Sequence, residues 1–292
     1  MAGRTAELLP QELRILAAVA DSGGFSAAAA ALGLTQSAVS HSVRGSEAKV
    51  GAVLFERGRA GATPTPAGER AVALARRILR MYEVLGAEVR GASRGAVEGV
   101  LRIAAFRSAA LHLLPPALER LTARHPGIRP EIRVVREIGA GTAGEVAAGR
   151  ADLGTTLGGS HDVAPGLLTG VLTQEAYRLV HPAGHPDPKG LPLMDWDENC
   201  GSYTRAWWRA QDWIPRATVK AEDDAMVLTM VGRGLGMAIM PELSLREAGE
   251  AVDITDLGPG GPVRQVGYVT TPESAATLAV RALIRELRSE KG

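Results

Sequence analysis

The sequence predicts an α/β protein with an all-α segment at its N-terminus. Short helical patterns separated by glycines fill the first 50 residues. Three glycines and a serine lie among residues 91–99, a composition typical of an interdomain linker. From Val100 onward, strand-like runs alternate with helical ones, as in α/β domains. A chain of 292 residues with this organisation is expected to form two or three domains.

Three short helices are predicted near the N-terminus. They span Pro10–Ala20, Ala27–Leu32 and Gln36–Val50. Ser26 is a suitable N-cap for the second helix, and Thr35 is a suitable N-cap for the third. The link formed by residues 33–35 has about the length that joins the two helices of a helix-turn-helix.

A hairpin and a long helix are predicted to follow. Residues 53–66 are rich in glycine, proline and threonine and carry two arginines, which is typical of a hairpin-like wing. The next segment has an apolar stripe of Ala71, Leu74, Ala75, Ile78, Met81, Tyr82, Leu85 and Val89. An exposed helix with such a stripe needs a partner. We therefore expect domain 1–66, a dimerisation helix at 67–94 and a third domain at 95–292.

The α/β pattern of the third domain comes from runs of both kinds. The β-rich runs are 101–106, 132–135, 151–157, 237–240 and 264–270, and the helical runs are 112–124, 224–233 and 274–289. Trp207, Trp208 and Trp213 are interpreted as packing residues of this domain and not as a ligand site.

Charge is unevenly distributed along the chain. Residues 1–94 hold 12 lysines and arginines against 8 acidic residues, and the remainder holds 21 against 24. A basic minority segment suggests that a polyanion contacts the first third of the chain. The N-terminus lacks a signal-peptide pattern, so the protein is expected to be cytoplasmic. The single cysteine, Cys200, excludes an internal disulfide and is predicted to be structural.

One face of the third predicted helix is suited to reading DNA. Ser37, Ser40, His41 and Arg44 fall within about a third of its circumference. Small hydroxyl side chains let a helix enter the major groove, and arginine matches the paired acceptors of guanine. Gln36 in the first turn is suited to adenine. An ordinary solvated helix face has the same composition, so the pattern alone leaves both interpretations open.

Residues 24–69 as a whole resemble the LysR-type transcriptional regulator family. The matching elements are Phe25-Ser26, Ala29, Leu32, Thr35-Gln36, Ala38-Val39-Ser40, Glu47, Gly51, Leu54-Phe55-Glu56-Arg57 and Thr65-Pro66-Ala67-Gly68. The sequence departs from the family pattern at Ser37, His41 and Gly45-Ser46, which bears on base preference and helix rigidity.

The resemblance implies DNA contacts for a defined set of residues. They are Ser26, Thr35, Gln36, Ser37, Ser40, His41, Arg44, Arg57 and Arg59. Ser26 and Thr35 would contact phosphates, and the two wing arginines would lie beside the duplex. Simple helix capping by Ser26 and Thr35, and a salt bridge from Arg57 to Glu56 or Glu69, are the alternatives.

The resemblance continues more loosely to the C-terminus. It implies a type 2 periplasmic-binding-protein-like domain with lobe I at about 100–170 and 267–292 and lobe II at about 171–266. The candidate effector-binding residues are Arg107, Ser108, Thr155, Thr156, Ser202, Tyr203 and Asp223. Ser108 leads this set, because a hydroxyl and free amides at the start of a helix can hold an anion. Asp223 has the alternative role of a helix N-cap, the two threonines that of sheet residues, and Ser202 and Tyr203 that of loop residues.

The function expected from the sequence is a DNA-binding regulator that senses a small anionic metabolite. Its partners would be duplex DNA carrying an interrupted palindrome, the effector, and further copies of the chain in a homodimer or homotetramer, with no cofactor and no membrane. The alternative is an NAD-linked oxidoreductase using the glycines of 139–144, but Asp152 follows too soon to bind a ribose. The six histidines show no metal-ligand spacing, so neither a metal site nor an enzyme is expected.

Overall fold

Three helices open the chain, and each ends at a glycine. In the computed structural model they are α1 (Pro10–Ser22), α2 (Phe25–Leu32) and α3 (Gln36–Val50), as predicted to within a few residues. Gly23, Gly33 and Gly51 follow them with φ of 67°, 65° and 72°. Because glycine adopts this left-handed conformation without steric cost, the three residues end the helices and turn the chain.

The helix starts confirm one predicted cap and correct the other. The Thr35 hydroxyl accepts a hydrogen bond from the Ala38 amide at 3.2 Å and caps α3. The prediction that Ser26 caps α2 is wrong, because the helix begins two residues earlier than predicted and Gly24 holds the N-cap position. Phe25 joins the helix because its ring packs into the core, where it meets Phe55 edge-on with 6.4 Å between the ring centroids.

The three helices share a core with a short hairpin. Strands β1 (Phe55–Gly58) and β2 (Gly61–Pro64) pair antiparallel and confirm the predicted wing. Buried apolar residues of this core include Leu16, Val19, Ala28, Val39, Val43 and Leu54. The Glu47 carboxylate of α3 accepts hydrogen bonds from the Leu54 and Phe55 amides at 2.8 and 3.2 Å. The base of the hairpin is therefore tied to the last turns of α3.

A long helix, α4 (Pro66–Arg94), follows the hairpin. The Thr65 hydroxyl accepts a hydrogen bond from the Gly68 amide at 3.0 Å and caps it. Near its start, Val72 and Ala75 are buried. Further along, the outer part of the predicted apolar stripe is between 46% and 61% exposed; its residues are Leu74, Ile78, Tyr82, Leu85 and Val89. A single copy of the chain leaves this stripe in solvent.

The structure describes residues 7–58, 61–158, 165–199, 207–215 and 217–289. The chain divides into two compact units: Met1–Gly99 with Glu145–Ala151, and Val100–Gly144 with Asp152–Gly292. The first unit contains the helices and hairpin described above. The linker predicted at 91–99 is shorter in the structure, because α4 continues to Arg94 and β3 begins at Glu98, so only residues 95–97 connect them.

The second unit is built on a mixed sheet, with seven strands among the described residues. Its strands are β3 (Glu98–Ala105), β4 (Gly127–Val134), β5 (Leu153–Leu157), β6 (Leu168–Pro182), β9 (Ala238–Pro241), β10 (Val252–Asp256) and β11 (Val263–Thr270). Their order is β10-β6-β11-β5-β3-β4, with β9 also paired to β6. A separate parallel pair consists of β7 (Leu193–Trp196) and β8 (Ala217–Ala221).

Two long strands connect the lobes of this unit. The first half of β6 pairs with β11, and its second half pairs with β9 and β10. Gly170 and Gly267, near which the chain is predicted to cross, lie inside these strands. The crossing is therefore continuous strand. We call the part that contains β3, β4 and β5 lobe I, and the part that contains β7, β8 and β9 lobe II. The two connecting strands are joined by a buried ion pair, in which Arg264 Nε of β11 lies 2.6 Å from Glu175 Oε1 of β6.

Short helices flank the sheet. They are α5 (Arg107–His112), α6 (Leu114–Arg124), α7 (Gly141–Ala147), α8 (Asp224–Gly232), α9 (Pro272–Ala276) and α10 (Leu278–Arg288). The helix predicted at 274–289 is two helices, because Thr277 is extended and its hydroxyl caps α10. The strand predicted at 132–135 is β4, which starts at Gly127.

The tryptophans pack lobe II, as predicted. Trp208 is buried in a cluster with Tyr177 and Met237. Trp207 and Trp213 are partly buried against the same cluster.

Candidate nucleic-acid interface and ligand-binding cleft

The outer face of α3 presents polar side chains beside the hairpin. Gln36, Ser37, His41 and Arg44 are exposed. The opposite face, which includes Val39, is buried in the core. Because the apolar face fixes the rotation of the helix, these four polar side chains point outward together.

Ser40 differs from the other predicted members of this face. Its side chain is only 8% exposed, and its hydroxyl accepts a hydrogen bond from Arg57 Nη1 at 3.2 Å. The Arg57 guanidinium also lies over the Phe25 ring, 4.5 Å from the ring centroid. The expectation that Ser40 itself faces outward is therefore wrong, because Arg57 of β1 binds at that position.

The remaining predicted DNA-contacting residues have separate positions. Ser26 is exposed in the first turn of α2. Thr35 is exposed, and its hydroxyl oxygen lies 3.0 Å from that of Ser37. Arg59 lies outside the described residues.

Lobe I brings three pairs of candidate residues to one edge of its sheet. Arg107 and Ser108 follow β3, Arg136 and Glu137 follow β4 after one residue, and Thr155 and Thr156 lie near the end of β5. Strands β5, β3 and β4 are neighbours, and β3 runs parallel to β5. In α/β sheets, ligands bind outside the carboxyl ends of such strands.

The two threonines of β5 do not line one surface. Successive strand residues point to opposite faces. Thr155 Oγ1 accepts a hydrogen bond from the Phe106 amide at 3.3 Å, whereas Thr156 Oγ1 donates to Glu137 Oε1 at 3.4 Å. Both threonines therefore hold neighbouring parts of lobe I in place. Ser108 is also buried, with 4% of its surface exposed.

Glu137 is a half-buried carboxyl that the sequence did not single out. It accepts hydrogen bonds from the amide and hydroxyl of Thr142 at 3.0 and 3.3 Å, in addition to that from Thr156. Burial raises the pKa of Glu137, and these hydrogen bonds partly oppose that shift. The Glu137 carboxyl thus holds the start of α7. This contact explains the turn formed by the glycines of 139–144, and a nucleotide-binding role is not needed to explain it.

Ion pairs cross from lobe I to lobe II. Arg107 Nη1 lies 3.1 Å from Asp224 Oδ1, and its Nη2 lies 3.4 Å from Glu247 Oε2. Arg136 Nε lies 2.7 Å from Glu198 Oε1, and its Nη2 donates to the Glu222 carbonyl at 3.1 Å. We call these contacts the interlobe ion pairs. An anion that binds either arginine would therefore compete with carboxylates of lobe II for part of the guanidinium.

The structure assigns Asp223 and Asp224 different roles. The Asp223 carboxylate accepts a hydrogen bond from the Met226 amide at 2.8 Å and caps α8, which was its alternative interpretation. Its neighbour Asp224, absent from the predicted set, binds Arg107. Ser202 and Tyr203 lie outside the described residues.

Sequence reasoning missed Arg136, Glu137, Asp224 and Glu247. For the first two a signal existed, because they follow a predicted strand just as Ser108 does. Asp224 and Glu247 had no such signal, because they lie in lobe II and only the tertiary structure brings lobe II against lobe I.

Neither a metal site nor a membrane span is found in the part of the chain that the structure describes. Within those ranges, no group of three or more histidine, cysteine or acidic residues has the arrangement of a metal site. No helix there is both long and apolar enough to cross a membrane.

Known families match both ends of the chain. Residues 10–69 match the bacterial regulatory helix-turn-helix proteins of the lysR family, and residues 94–292 match the LysR substrate binding domain. The probable HTH-type transcriptional regulator LrrA of Synechococcus elongatus is 35% identical over 246 residues, which cover 80% of this chain and 81% of LrrA.

Solved structures share the fold. ArgP from Mycobacterium tuberculosis superposes with a TM-score of 0.73 at 19% identity, over 97% of each chain. Full-length CbnR in complex with its target DNA superposes with a TM-score of 0.66 at 20% identity, over 97% of this chain and 99% of CbnR. The predicted fold class, an N-terminal winged helix-turn-helix followed by a two-lobed α/β domain, is confirmed.

Proposed function

The chain belongs to the LysR family of bacterial transcriptional regulators, and from this premise we propose that it binds promoter DNA as an oligomer and senses a small anion. It is a regulator with an effector-binding domain and not an enzyme. The observation that carries the DNA-binding proposal is the exposed polar face of α3 beside the hairpin. A regulator of this kind acts on the chromosome, so we expect it in the cytoplasm.

The α3 face supplies the base contacts in this proposal. Arg44 is suited to guanine, Gln36 to adenine, and His41 and Ser37 to neighbouring base edges. Ser26 and Thr35 lie at the first turns of α2 and α3 and would contact phosphates, which fix register but carry no sequence information. Geometric support comes from CbnR, whose full-length structure was solved with its target DNA and shares this fold.

The experiment for DNA binding is selection from a random duplex library with the full chain. The selected duplex and a scrambled duplex of equal length and composition are then titrated at several salt concentrations. We expect tighter binding of the selected duplex, and affinity for both that falls steeply with salt because counterions are released. Equal, salt-independent binding of both duplexes would contradict the proposal.

The exposed stripe of α4 supports self-association. Leu74, Ile78, Tyr82, Leu85 and Val89 are the exposed apolar residues of one helix, and a second copy would remove them from water. A two-fold dimer would present two recognition helices to an interrupted palindrome.

Light scattering at micromolar concentration tests this self-association. We expect the mass of a dimer or tetramer for the wild type, and a smaller mass for Leu85→Glu. Leu278→Glu is the matched control, because Leu278 is also an exposed leucine of a helix but lies on α10. A monomeric wild type would contradict the proposal.

The effector is proposed to be an anion that binds between the lobes at Arg107 and Ser108. Arg107 supplies the positive charge and Ser108 a hydroxyl at the start of α5. Because Asp224 and Glu247 already bind Arg107, the anion would compete with them for the guanidinium. Anion binding would thereby change the contacts between the lobes. It would alter DNA binding only to the extent that the affinity of the anion differs between the two conformations of the domain.

Carboxylate metabolites are the probe for this site, screened first by thermal shift and then by calorimetry. We expect Ser108→Ala to weaken a binding metabolite at least about tenfold, since a hydrogen bond to a charged group contributes roughly 1.5 to 3 kcal/mol. DNA binding without the metabolite should not change. Equal metabolite affinities of the two proteins would place the effector elsewhere.

A further inference from the structure

Arg57 belongs to the hairpin, yet its guanidinium contacts both α2 and α3. The guanidinium carbon lies 4.5 Å from the centroid of the Phe25 ring, at the start of α2. Its Nη1 donates a hydrogen bond to Ser40 Oγ in α3 at 3.2 Å. One side chain therefore joins the three elements that form the candidate nucleic-acid interface.

We propose that Arg57 is a positioning residue that holds the hairpin against α3, rather than a contact to DNA phosphate. The inference rests on the proposed DNA binding. A planar guanidinium that stacks on an aromatic ring and donates in its own plane is held in one orientation. Lysine, a flexible chain with a compact ammonium, cannot reproduce both contacts at once.

The hairpin needs such a contact because little else ties β1 to the helices. A two-stranded hairpin is marginal by itself. In β1 only Phe55 is buried, and the following residues are exposed. β2 is anchored separately, by buried Ala62, whose amide donates to the Gly23 carbonyl at 2.8 Å. At the base, Glu47 holds the entry to β1. Arg57 extends that anchoring along the strand.

This position has a consequence for DNA recognition. Ser40 lies at the margin of the α3 face that carries Ser37, His41 and Arg44, so Arg57 fixes the hairpin at the edge of the reading face. Binding to a preferred sequence requires helix and hairpin to meet the duplex in one fixed relation. Binding to random DNA tolerates variation in that relation. Loss of the contact should therefore affect the preferred duplex most.

The test compares the full-length variants Arg57→Lys, Arg57→Ala, Phe25→Leu and Ser40→Ala on the selected and scrambled duplexes. Phe25→Leu keeps an apolar side chain in the core and removes the ring face. Arg14→Ala is the matched control, since Arg14 is an exposed arginine of α1 in the same unit. The melting temperature of each variant reports whether the unit remains folded.

We expect Arg57→Lys and Arg57→Ala alike to weaken binding of the selected duplex about fivefold to tenfold, with little change for the scrambled duplex. The dependence of affinity on salt should keep its slope, because no phosphate contact is lost. Phe25→Leu or Ser40→Ala combined with Arg57→Ala should add little to Arg57→Ala alone, since each removes a contact that Arg57→Ala already removes.

Wild-type affinity of Arg57→Lys, or a salt slope lowered by about one in Arg57→Ala, would overturn the proposal in favour of a phosphate contact. Hydrogen exchange of the free protein gives a readout that needs no DNA. The amides of residues 55–58 should exchange faster in Arg57→Lys than in the wild type or in Arg14→Ala. Unchanged exchange would overturn the proposal, whereas a wild type that binds no duplex would contradict the proposed function instead.

Discussion

The α3 face and the cleft between the lobes are built in opposite ways. On α3, the outward residues lie within positions 36–44 of one helix, and their orientation follows from its buried side. In the cleft, Arg136 and Arg107 bind acids that lie 62 and 117 residues away along the chain. Substitutions on α3 should therefore change DNA binding without changing stability. Substitutions in the cleft should do the reverse.

Arg44→Ala should have the largest effect of any substitution on α3 or in the cleft. A lost base contact typically costs about 1 to 3 kcal/mol, so the selected duplex should bind roughly 5- to 150-fold more weakly. The scrambled duplex should be affected much less, and the melting temperature should not change. Titrations of Arg44→Ala beside Arg14→Ala check this. Equal losses on both duplexes would make Arg44 a phosphate contact.

The interlobe ion pairs should contribute less, and to stability instead. Asp224→Asn and Arg107→Ala should each lower the free energy of unfolding of the second unit, with a coupling of about 1 kcal/mol or less for a partly exposed pair. Urea unfolding followed by tryptophan fluorescence is suited to this, because all four tryptophans lie in lobe II. Asp212→Asn, an exposed aspartate of lobe II, is the control. A coupling energy of zero between Asp224 and Arg107, or weaker DNA binding by either variant, would contradict the contrast with α3.

Glu137 of lobe I should make stability depend on pH. Burial holds its pKa above the usual 4.5, so the folded protein binds a proton more tightly than the unfolded chain. This favourable contribution is complete below the unfolded pKa and is lost as pH rises through the folded value. The wild type should therefore gain stability relative to Glu137→Gln as pH falls from 7 to 4.5. Urea midpoints at both pH values, with Glu119→Gln as control, measure this; parallel pH profiles would contradict it.

Cys200→Ser is expected to have no effect. The chain has no second cysteine, and residues 197–198 beside Cys200 are acidic, which disfavours a reactive thiolate. Cys200 lies outside the described residues, so this prediction comes from the sequence. DNA binding of both proteins should be the same under peroxide and under reductant. A peroxide response that the substitution abolishes would make Cys200 a sensor.

Sequence alone determined the parts whose signals are local. Helix α3, its Thr35 cap and the hairpin after it were predicted correctly, because capping, glycine stops and apolar periodicity act within a few residues. The apolar stripe of α4 was visible for the same reason. Together with the family resemblance, these signals were sufficient to identify a DNA-binding regulator.

Tertiary structure decided the contacts between distant segments. Ser26 does not cap α2, because packing of Phe25 into the core outweighs the local preference for a serine cap. Arg57 covers Ser40 because the hairpin folds back on α3. Asp224 and not Asp223 binds Arg107, a choice made only where lobe II meets lobe I. Such contacts depend on the burial of remote surfaces, and the pattern of neighbouring residues does not encode which remote partner they will have.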